Sequence, residues 1–405
     1  MLAILATHPI QYQVPIWQQL AKRGKVPFEV WYLTAHGVNP SLDSQFGKVF
    51  KWDIEMLDGY PHRFPPVPVP QQLGGFCEVK LPEDFRARLK SGQVKAVLVH
   101  GWNVWACWEV VFLARRLGTQ VWLRGESNDL KIDPFLKKNI KRLLLGTFLR
   151  KVDQFLVVGK ANARLYTNYG VSKTNFYPSP YCVDNIRFSL QGKQLRPSRE
   201  SLRRDWGIPD DAFCLVFVGK FIPKKRPKDI ITALQLLNLL DPKRNYHILF
   251  VGAGELDEIL RKQCHVVFDA DNDLIKAAGP GDVFVPMASF VGFLNQNEIS
   301  KSYIAADALV LASDHNETWG LVVNEALASG LPCIVSKACG SAEDLVEPLD
   351  PRLCFPMGDC EALANAIKHL AENPLPIEAM ANHIARYDFN ATVESIEQLW
   401  CELVK

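Results

Sequence analysis

The sequence predicts an α/β fold of two Rossmann-like, doubly wound domains. Three observations predict it. A chain of 405 residues is long enough for two domains with ample core. Short apolar runs alternate with helical patterns from Leu2 onward, the rhythm of parallel strands joined by crossover helices. Several of those runs end in polar clusters, which is where doubly wound sheets keep their ligands. The expected domains are residues 1–185 and 186–390, with a last helix over 391–405.

The first domain opens with a buried strand, Leu2 to Ala6, then the loop THPIQYQVP, a helix through Trp17 to Lys22 and a strand from Phe28 to Leu33. This places His8, Gln11 and Tyr12 at a strand's carboxyl end. Residues 34–82 break the rhythm with a long polar and aromatic stretch that includes PHRFPPVPVPQQLGG, Pro61 to Gly75. It reads as a functional flap or as a variable surface excursion with a hairpin. Alternation resumes with strand Ala96 to His100, helix Val104 to Leu117 and strand Gln120 to Leu123. The polar ends HGWN and RGESND nominate His100, Trp102, Asn103, Arg124 and Glu126.

Pro134 to Lys151 is a cationic amphipathic helix with Lys137, Lys138, Lys141 and Arg142 beside a Leu/Phe face. Such a helix can lie on anionic lipid. More commonly it is a surface helix, which here would bury Leu143, Leu144, Leu145 and Phe148. Strand Gln154 to Val158, helix Lys160 to Tyr169 and a strand ending in YPSPYCVD close this half, with a connection expected over Asp184 to Pro197.

The second series begins with strand Cys214 to Val218 and the loop GKFIPKKRP, followed by helix Lys228 to Leu240, strand His247 to Val251 and the loop GAGEL. An irregular stretch, Cys264 to Ala288, leads to SFVGFLNQNE and a helix over Ile299 to Ala305. Next come strand Ala308 to Ala312, a polar loop Ser313 to Trp319, a helix from about Gly320 to Ala328 and strand Pro332 to Val335. Helices Cys360 to Glu372, Ile377 to Arg386 and Ala391 to Leu403 finish the chain, the last set off by YDFN.

Two features here point to chemistry. Glu317 lies in the polar loop and Glu325 about one and a half turns into the helix, bracketing the N–H groups of Gly320, Leu321 and Val322. That is a seat for a phosphorylated ligand. Gly219, Lys220, Lys224 and Lys225 sit in a strand-to-helix loop, where ammonium groups can converge on a diphosphate.

The stretch ETWGLVVNE followed by ALASGLPCIVS resembles the signature of the family 4 retaining glycosyltransferases of the GT-B fold. The likeness is strongest over Phe213 to Val346 and runs more loosely through THPIQYQVP, HGWN, RGES and PYCVD. It implies two Rossmann-like domains facing a central cleft, an N-terminal acceptor-binding domain to which the terminal helix crosses back, and a C-terminal nucleotide-sugar-binding domain. It further implies that Glu325 holds the ribose, Glu317 the sugar hydroxyls, Gly320 to Val322 with Trp319 the sugar and phosphate, and Gly219, Lys220 and Lys225 the diphosphate. Gly252, Phe293 and Leu294 would meet the base. Lys220 stands where the family pattern has Arg, so the charge is kept and the bidentate fork is lost.

Many relatives place a His at the end of the first-domain strand that here reads WLRGES; Arg124, Glu126 or His100 would substitute. The implied activity is that of a hexosyltransferase in polysaccharide biosynthesis. It would move a sugar with retention from a nucleotide-sugar donor to a glycan or lipid-linked hydroxyl, with no metal and no other cofactor. Catalytic roles fall to Glu317, Lys225, Lys220 and His100, and an acceptor or sugar side to His8, Gln11, Tyr12, Trp102, Asn103, Arg124 and Glu126. Two other classes stay open: a nucleotide-sugar epimerase on the same fold, and a non-catalytic nucleotide-sugar-binding scaffold.

Composition agrees with a soluble enzyme, at 48% hydrophobic and 22% charged residues. The formal charge of +2 hides a split: residues 1–185 hold 24 Lys and Arg against 14 Asp and Glu, a net of +10, while the remainder nets −8. The basic half suits an anionic neighbour such as a lipid head group, and no nucleic acid is expected. The ten cysteines show no CxxC spacing and read as small buried residues of a reducing compartment. No signal peptide is expected, and no apolar run approaches the ~20 residues of a membrane span. A cytoplasmic protein, peripheral at the inner membrane face through 134–151, follows from these points. Asp269, Asp271 and Asp273 imitate a metal loop, but calcium would want Gly at Leu274 and Glu at Pro280. They read as a polar surface turn.

Overall fold

The structure is a computed structural model that describes residues 1–38, 41–43, 48–50, 55–66, 75–131, 135–271 and 284–405, with the side chains of 41–43, 48–50 and 135–140 left aside. Much of the 34–82 stretch, Pro134, the Lys137 and Lys138 side chains and Asp273 therefore lie outside the described residues. The chain forms two compact units: Met1–Ser41, Phe50–Cys182 and Asp388–Lys405 make one, Leu42–Val49 and Val183–Tyr387 the other.

The first unit holds a parallel sheet of β1 (Leu2–Ala6), β2 (Phe28–Tyr32), β5 (His62–Arg63), β6 (Ala96–His100), β7 (Gln120–Arg124), β8 (Gln154–Val157) and β9 (Phe176–Pro178). A separate pair, β3 (Ser41–Asp43) and β4 (Lys48–Phe50), stands outside it. The order β5-β2-β1-β6-β7-β8-β9 reverses direction between β1 and β6, the switch point of a doubly wound sheet. Strands covered on both faces need continuous apolar sequence, and LAILA of β1 is buried throughout.

Helix α1 (Val14–Arg23) starts on a proline and stops at Gly24, whose φ of 65° provides the left-handed cap. Helices α2 (Glu83–Lys90), α3 (Trp105–Arg116) and α4 (Phe135–Leu149) follow. The terminal helix, Phe389–Val404, is capped by the Asp388 carboxylate, which accepts from the Ala391 N–H at 3.1 Å. Tyr387 and Asp388 thus separate this helix from the one before it, and Phe389 and Asn390 belong to its first turn, so it starts two residues earlier than expected. The helix buries Val393, Ile396, Leu399 and Trp400 in the core shared with Val14, Trp17 and Leu20 of α1. Its Glu397 pairs with Arg23 at 3.2 Å and Lys25 at 3.0 Å.

The second unit repeats the plan with β10 (Phe213–Val218), β11 (Tyr246–Val251), β12 (His265–Asp269), β13 (Met287–Phe290), β14 (Ala308–Leu311), β15 (Cys333–Ser336) and β16 (Cys354–Phe355). Its order, β12-β13-β11-β10-β14-β15-β16, switches between β10 and β14.

Four expectations need correction. Cys264 to Ala288 is not irregular throughout, because HVVFD pairs as β12 along β13. Asp269 does not belong to a solvated turn: its carboxylate is almost wholly buried and takes a fork from Arg261 at 2.6 and 3.1 Å. The connection read over Asp184 to Pro197 is mostly a helix, Asn185–Leu195, capped by Asp184. In α4, Leu145 and Phe148 are buried, but Leu143 and Leu144 are 68% and 56% exposed. Three successive leucines span about 200° of a helix, so they cannot share one face. Seven of the ten cysteines are buried, and burial pushes the Cys107 thiol up to about 12. Among the described residues no helix is long and apolar enough to cross a membrane.

Candidate active site

In the second unit the polar loops at the strand carboxyl ends are stitched together by their backbones. Gly219 N–H donates to Val251 at 3.0 Å, Gly252 N–H to Gly292 at 2.8 Å, and Phe221 N–H to Ala253 at 2.9 Å. The approach is so close that a Cβ on Gly252 would lie 2.0 Å from the Gly219 carbonyl oxygen. With φ at 137° as well, only glycine fits there.

The lysine loop and the glutamate loop touch directly. The Asp314 N–H donates to the Lys224 carbonyl at 2.8 Å, and the Lys225 ammonium is ion-paired with the Glu317 carboxylate. Ser313 Oγ lies 3.5 Å from the same Glu317 oxygen. Both side chains of the pair keep a little exposure, 16% for Lys225 and 14% for Glu317, so a ligand can reach them. Lys220, Phe293, Leu294, Leu321 and Val322 are half-buried around these loops.

The helix begins at Val322, two residues later than expected, which puts Glu325 in its first turn. Val323 and Glu325 donate the first helical bonds, to Gly320 and Leu321, so the N–H groups of Gly320, Leu321 and Val322 precede them at the open end. Gly320 has φ of 97°, and a Cβ there would sit 2.3 Å from Leu311 Cδ2. Glu325 is only 2% exposed, and Tyr303 Oη donates to its carboxylate at 2.5 Å. Tyr303, itself 1% exposed on the helix Ser300–Ala305, is a residue the sequence reading missed; a tyrosine 22 positions upstream of its partner leaves no pattern. Trp319 turns its ring into the core, where Nε1 donates to Asn324 Oδ1 at 2.7 Å, and only its backbone belongs to the loop edge.

The first unit has its own polar cluster at the carboxyl ends of β6, β7 and β9. Arg124, 3% exposed, donates from Nε to Ser179 Oγ at 2.9 Å and from Nη1 to Glu126 at 2.9 Å. Its guanidinium also lies 5.3 Å from the Tyr181 ring centroid. Gln13 Nε2 reaches the same Glu126 oxygen at 3.4 Å, and Ser179 meets Thr392 of the terminal helix at 3.1 Å. Ser179 and Thr392 were also missed, since they come from separate segments with no motif of their own, and Tyr181 was not singled out within PYCVD.

His100 is the outlier. Both of its ring nitrogens are buried and neither has a hydrogen-bond partner, while the ring packs edge-on against Trp17 at 5.3 Å. Burial, then the Arg124 charge, holds its pKa well below the usual imidazole range. Buried Oε1 atoms of Gln11 and Gln13 are likewise unpartnered. His8 hydrogen-bonds Thr7 at 2.9 Å and meets His36 edge-on at 5.2 Å; burial and then His36 bring its pKa down to about 4. Trp102 packs on Phe148 and Tyr166, and Asn103 is exposed.

Residues 212–373, which include both loops of the second unit, match the family model described as glycosyl transferases group 1. That part of the chain is similar to the group 1 glycosyl transferases.

Over 263 residues the chain is 26% identical to a D-inositol 3-phosphate glycosyltransferase of Saccharomonospora viridis, covering 62% of this chain and 58% of that protein. Over 189 residues it is 32% identical to a GDP-mannose-dependent alpha-mannosyltransferase of Mycobacterium tuberculosis, covering 46% and 40%. The chain thus spans about half the length of the curated relatives it matches. Among solved structures, Anabaena HepE in complex with UDP-glucose is similar at a TM-score of 0.62 and 15% identity over 99% of both chains. This last likeness is one of fold, the GT-B class of two Rossmann-like domains expected from the glutamate motif.

Proposed function

We propose that the protein is a retaining hexosyltransferase of the group 1 family, moving a sugar from a nucleotide-diphosphate sugar to a hydroxyl of a glycan or lipid-linked acceptor. The observation that carries this reading is the joining of the two charged loops in the second unit, through Asp314 to Lys224 and Lys225 to Glu317. An ammonium already held beside a carboxylate at a strand-end loop is placed to take over a diphosphate when the donor enters. UDP-glucose in the HepE structure and GDP-mannose in the name of the mycobacterial relative support a nucleotide sugar as the donor class.

In this reading Glu325, fixed by Tyr303, accepts the two ribose hydroxyls, and Gly252, Phe293 and Leu294 border the base. Lys220, Lys225 and the N–H groups of Gly320 to Val322 stabilise charge as the diphosphate leaves. Glu317 is released from Lys225 to hold sugar hydroxyls. The departing phosphate oxygen takes the acceptor's proton on the face from which it leaves, so the anomeric configuration is retained without a protein nucleophile. The chain's own cations supply the charge that the reaction needs, with no metal or cofactor required.

A thermal-shift panel of UDP-, GDP- and ADP-sugars on the wild type and on Lys225→Met tests this. One nucleotide should raise Tm, with stabilisation approaching about 2.7 kcal/mol at a hundred times Kd, and the variant should respond far less. If no nucleotide sugar shifts either protein at millimolar concentration, the transferase reading fails and the scaffold reading gains.

A further inference from the structure

A helix N-terminus at a strand's carboxyl end binds phosphate through N–H groups that the helix leaves free. At the start of α1 the first turn keeps none of them. The Gln13 and Val14 N–H groups donate to the Ile10 carbonyl at 2.8 and 3.0 Å, residue 15 is proline, and Ile16 and Trp17 donate to Gln13 at 3.0 and 3.3 Å. From Thr7 to Pro15 the loop also lacks the glycine that would let a phosphate approach the backbone. The seat for an anion is closed.

The unmet side-chain atoms around the same strand ends are mostly acceptors. Gln13, 6% exposed, donates its amide N–H to Glu126 Oε1, which turns its own Oε1 away from the carboxylate; that oxygen is buried with no partner among the described residues. Gln11, 8% exposed on the same loop, has a buried and unpartnered Oε1 as well. Glu126 receives Arg124 and Gln13 on Oε1, which leaves Oε2 outside both bonds. His100, the register partner of Arg124 across β6 and β7, supplies one N–H and one bare nitrogen, because burial and the Arg124 charge keep its imidazole neutral. Arg124 and Glu126 cancel, so the cluster has no net charge.

We propose that this cluster selects a neutral, hydroxyl-rich sugar as the acceptor and rejects acidic and phosphorylated sugars. Sugar hydroxyls donate to Oε1 of Gln11 and Gln13 and to Oε2 of Glu126, and one of them accepts from the His100 N–H. A hydroxyl does both, whereas an ionised carboxylate or a phosphate dianion offers only lone pairs. Such a group would meet the Glu126 charge and leave the buried oxygens unsatisfied, the situation in which a site built around hydroxyls discriminates most strongly. The net +10 of residues 1–185 does not decide the matter, since it is summed over the whole half-chain and distant exposed charges are screened. The inference rests on the transferase reading for calling this sugar the acceptor, but its binding is measured without a donor.

The test is a ligand-observed NMR titration of the full chain with the methyl glycosides of glucose, galactose and mannose, and with the uronide and 6-phosphate of each. At least one neutral glycoside should bind, and its two anionic counterparts at least about tenfold more weakly. Glu126→Gln keeps the side-chain size and an Oε1 acceptor, and should lower that discrimination by about tenfold, a change that a structural role would not produce. If the variant does not fold, the wild-type panel decides. Four results overturn the proposal: no neutral glycoside bound at millimolar concentration, which would leave the atoms to ordered water; an anionic counterpart bound equally well; unchanged discrimination in Glu126→Gln; or displacement of the glycoside by a nucleotide sugar, which would make the sugar the donor's. Nucleotide-sugar thermal shifts separate the two readings: their absence beside intact discrimination would sink the transferase reading and spare the neutral-sugar site.

Discussion

In the second unit the candidate side chains answer one another, Lys225 to Glu317 and Tyr303 to Glu325. In the first unit Arg124 is fully engaged by Ser179 and Glu126, yet His100 keeps two buried nitrogens with no partner. An unmet buried polar group costs about 1–3 kcal/mol, so ordered water or a ligand satisfies one that a protein retains. The difference assigns the two clusters different work. In the proposed reading the paired cluster is organised before its ligand arrives and exchanges one anion for another, whereas the unpaired one is met by a ligand group or by water.

The comparison is broken most directly at the lysine. Lys225→Met should lower kcat/KM for sugar transfer by roughly 10²–10³, the usual loss when one donor to a developing negative charge is removed. A loss below tenfold in steady-state assays would mean that Glu317 is its structural partner and nothing more.

A pH titration sharpens the contrast from the first unit's side. His8 titrates near 6.5 in the unfolded chain and near 4 in the folded one. The unfolded chain therefore binds the proton first, and stability present above pH 6.5 is lost as pH falls toward 4. The depression corresponds to roughly 3 kcal/mol. Urea midpoints across pH 7 to 4 should drop in the wild type and drop less in His8→Asn; parallel curves would remove His8 from the account.

Tyr303→Phe should weaken nucleoside diphosphate binding by roughly tenfold, since a hydrogen bond to a charged group is worth about 1.5–3 kcal/mol. Isothermal titration reads this, and an unchanged Kd would mean that Glu325 needs no anchor. The smallest expected effect, opposite in sign for stability, belongs to His100→Phe. Replacing unmet nitrogens with apolar surface should raise Tm by a few degrees while transfer slows. A lower Tm together with normal transfer would show that His100 is structural.

Legibility in the sequence follows the same division. The second unit's site was readable because its chemistry is compressed into ETWGLVVNE and GKFIPKK, two short runs on known sides of buried strands. Apolar runs such as LAILA announced parallel strands because burial on both faces leaves no room for alternation. Strand β12 escaped because HVVFD begins and ends in polar residues, the last an aspartate whose burial the Arg261 fork explains. Tyr303, Ser179 and Thr392 escaped because each meets its partner through folding alone, across 22 positions for Tyr303 and 213 for Ser179 and Thr392. Leu143 and Leu144 were misplaced because an amphipathic pattern gives the apolar side of a helix without counting how many residues that side can hold.

The exchange of anions on Lys225 is the central claim, and nucleoside diphosphate affinity in Glu317→Gln tests it most directly. Removing the carboxylate frees the ammonium, so the bare diphosphate should bind more tightly than to the wild type while sugar transfer falls. Weaker diphosphate binding in Glu317→Gln, with transfer intact, would contradict the account.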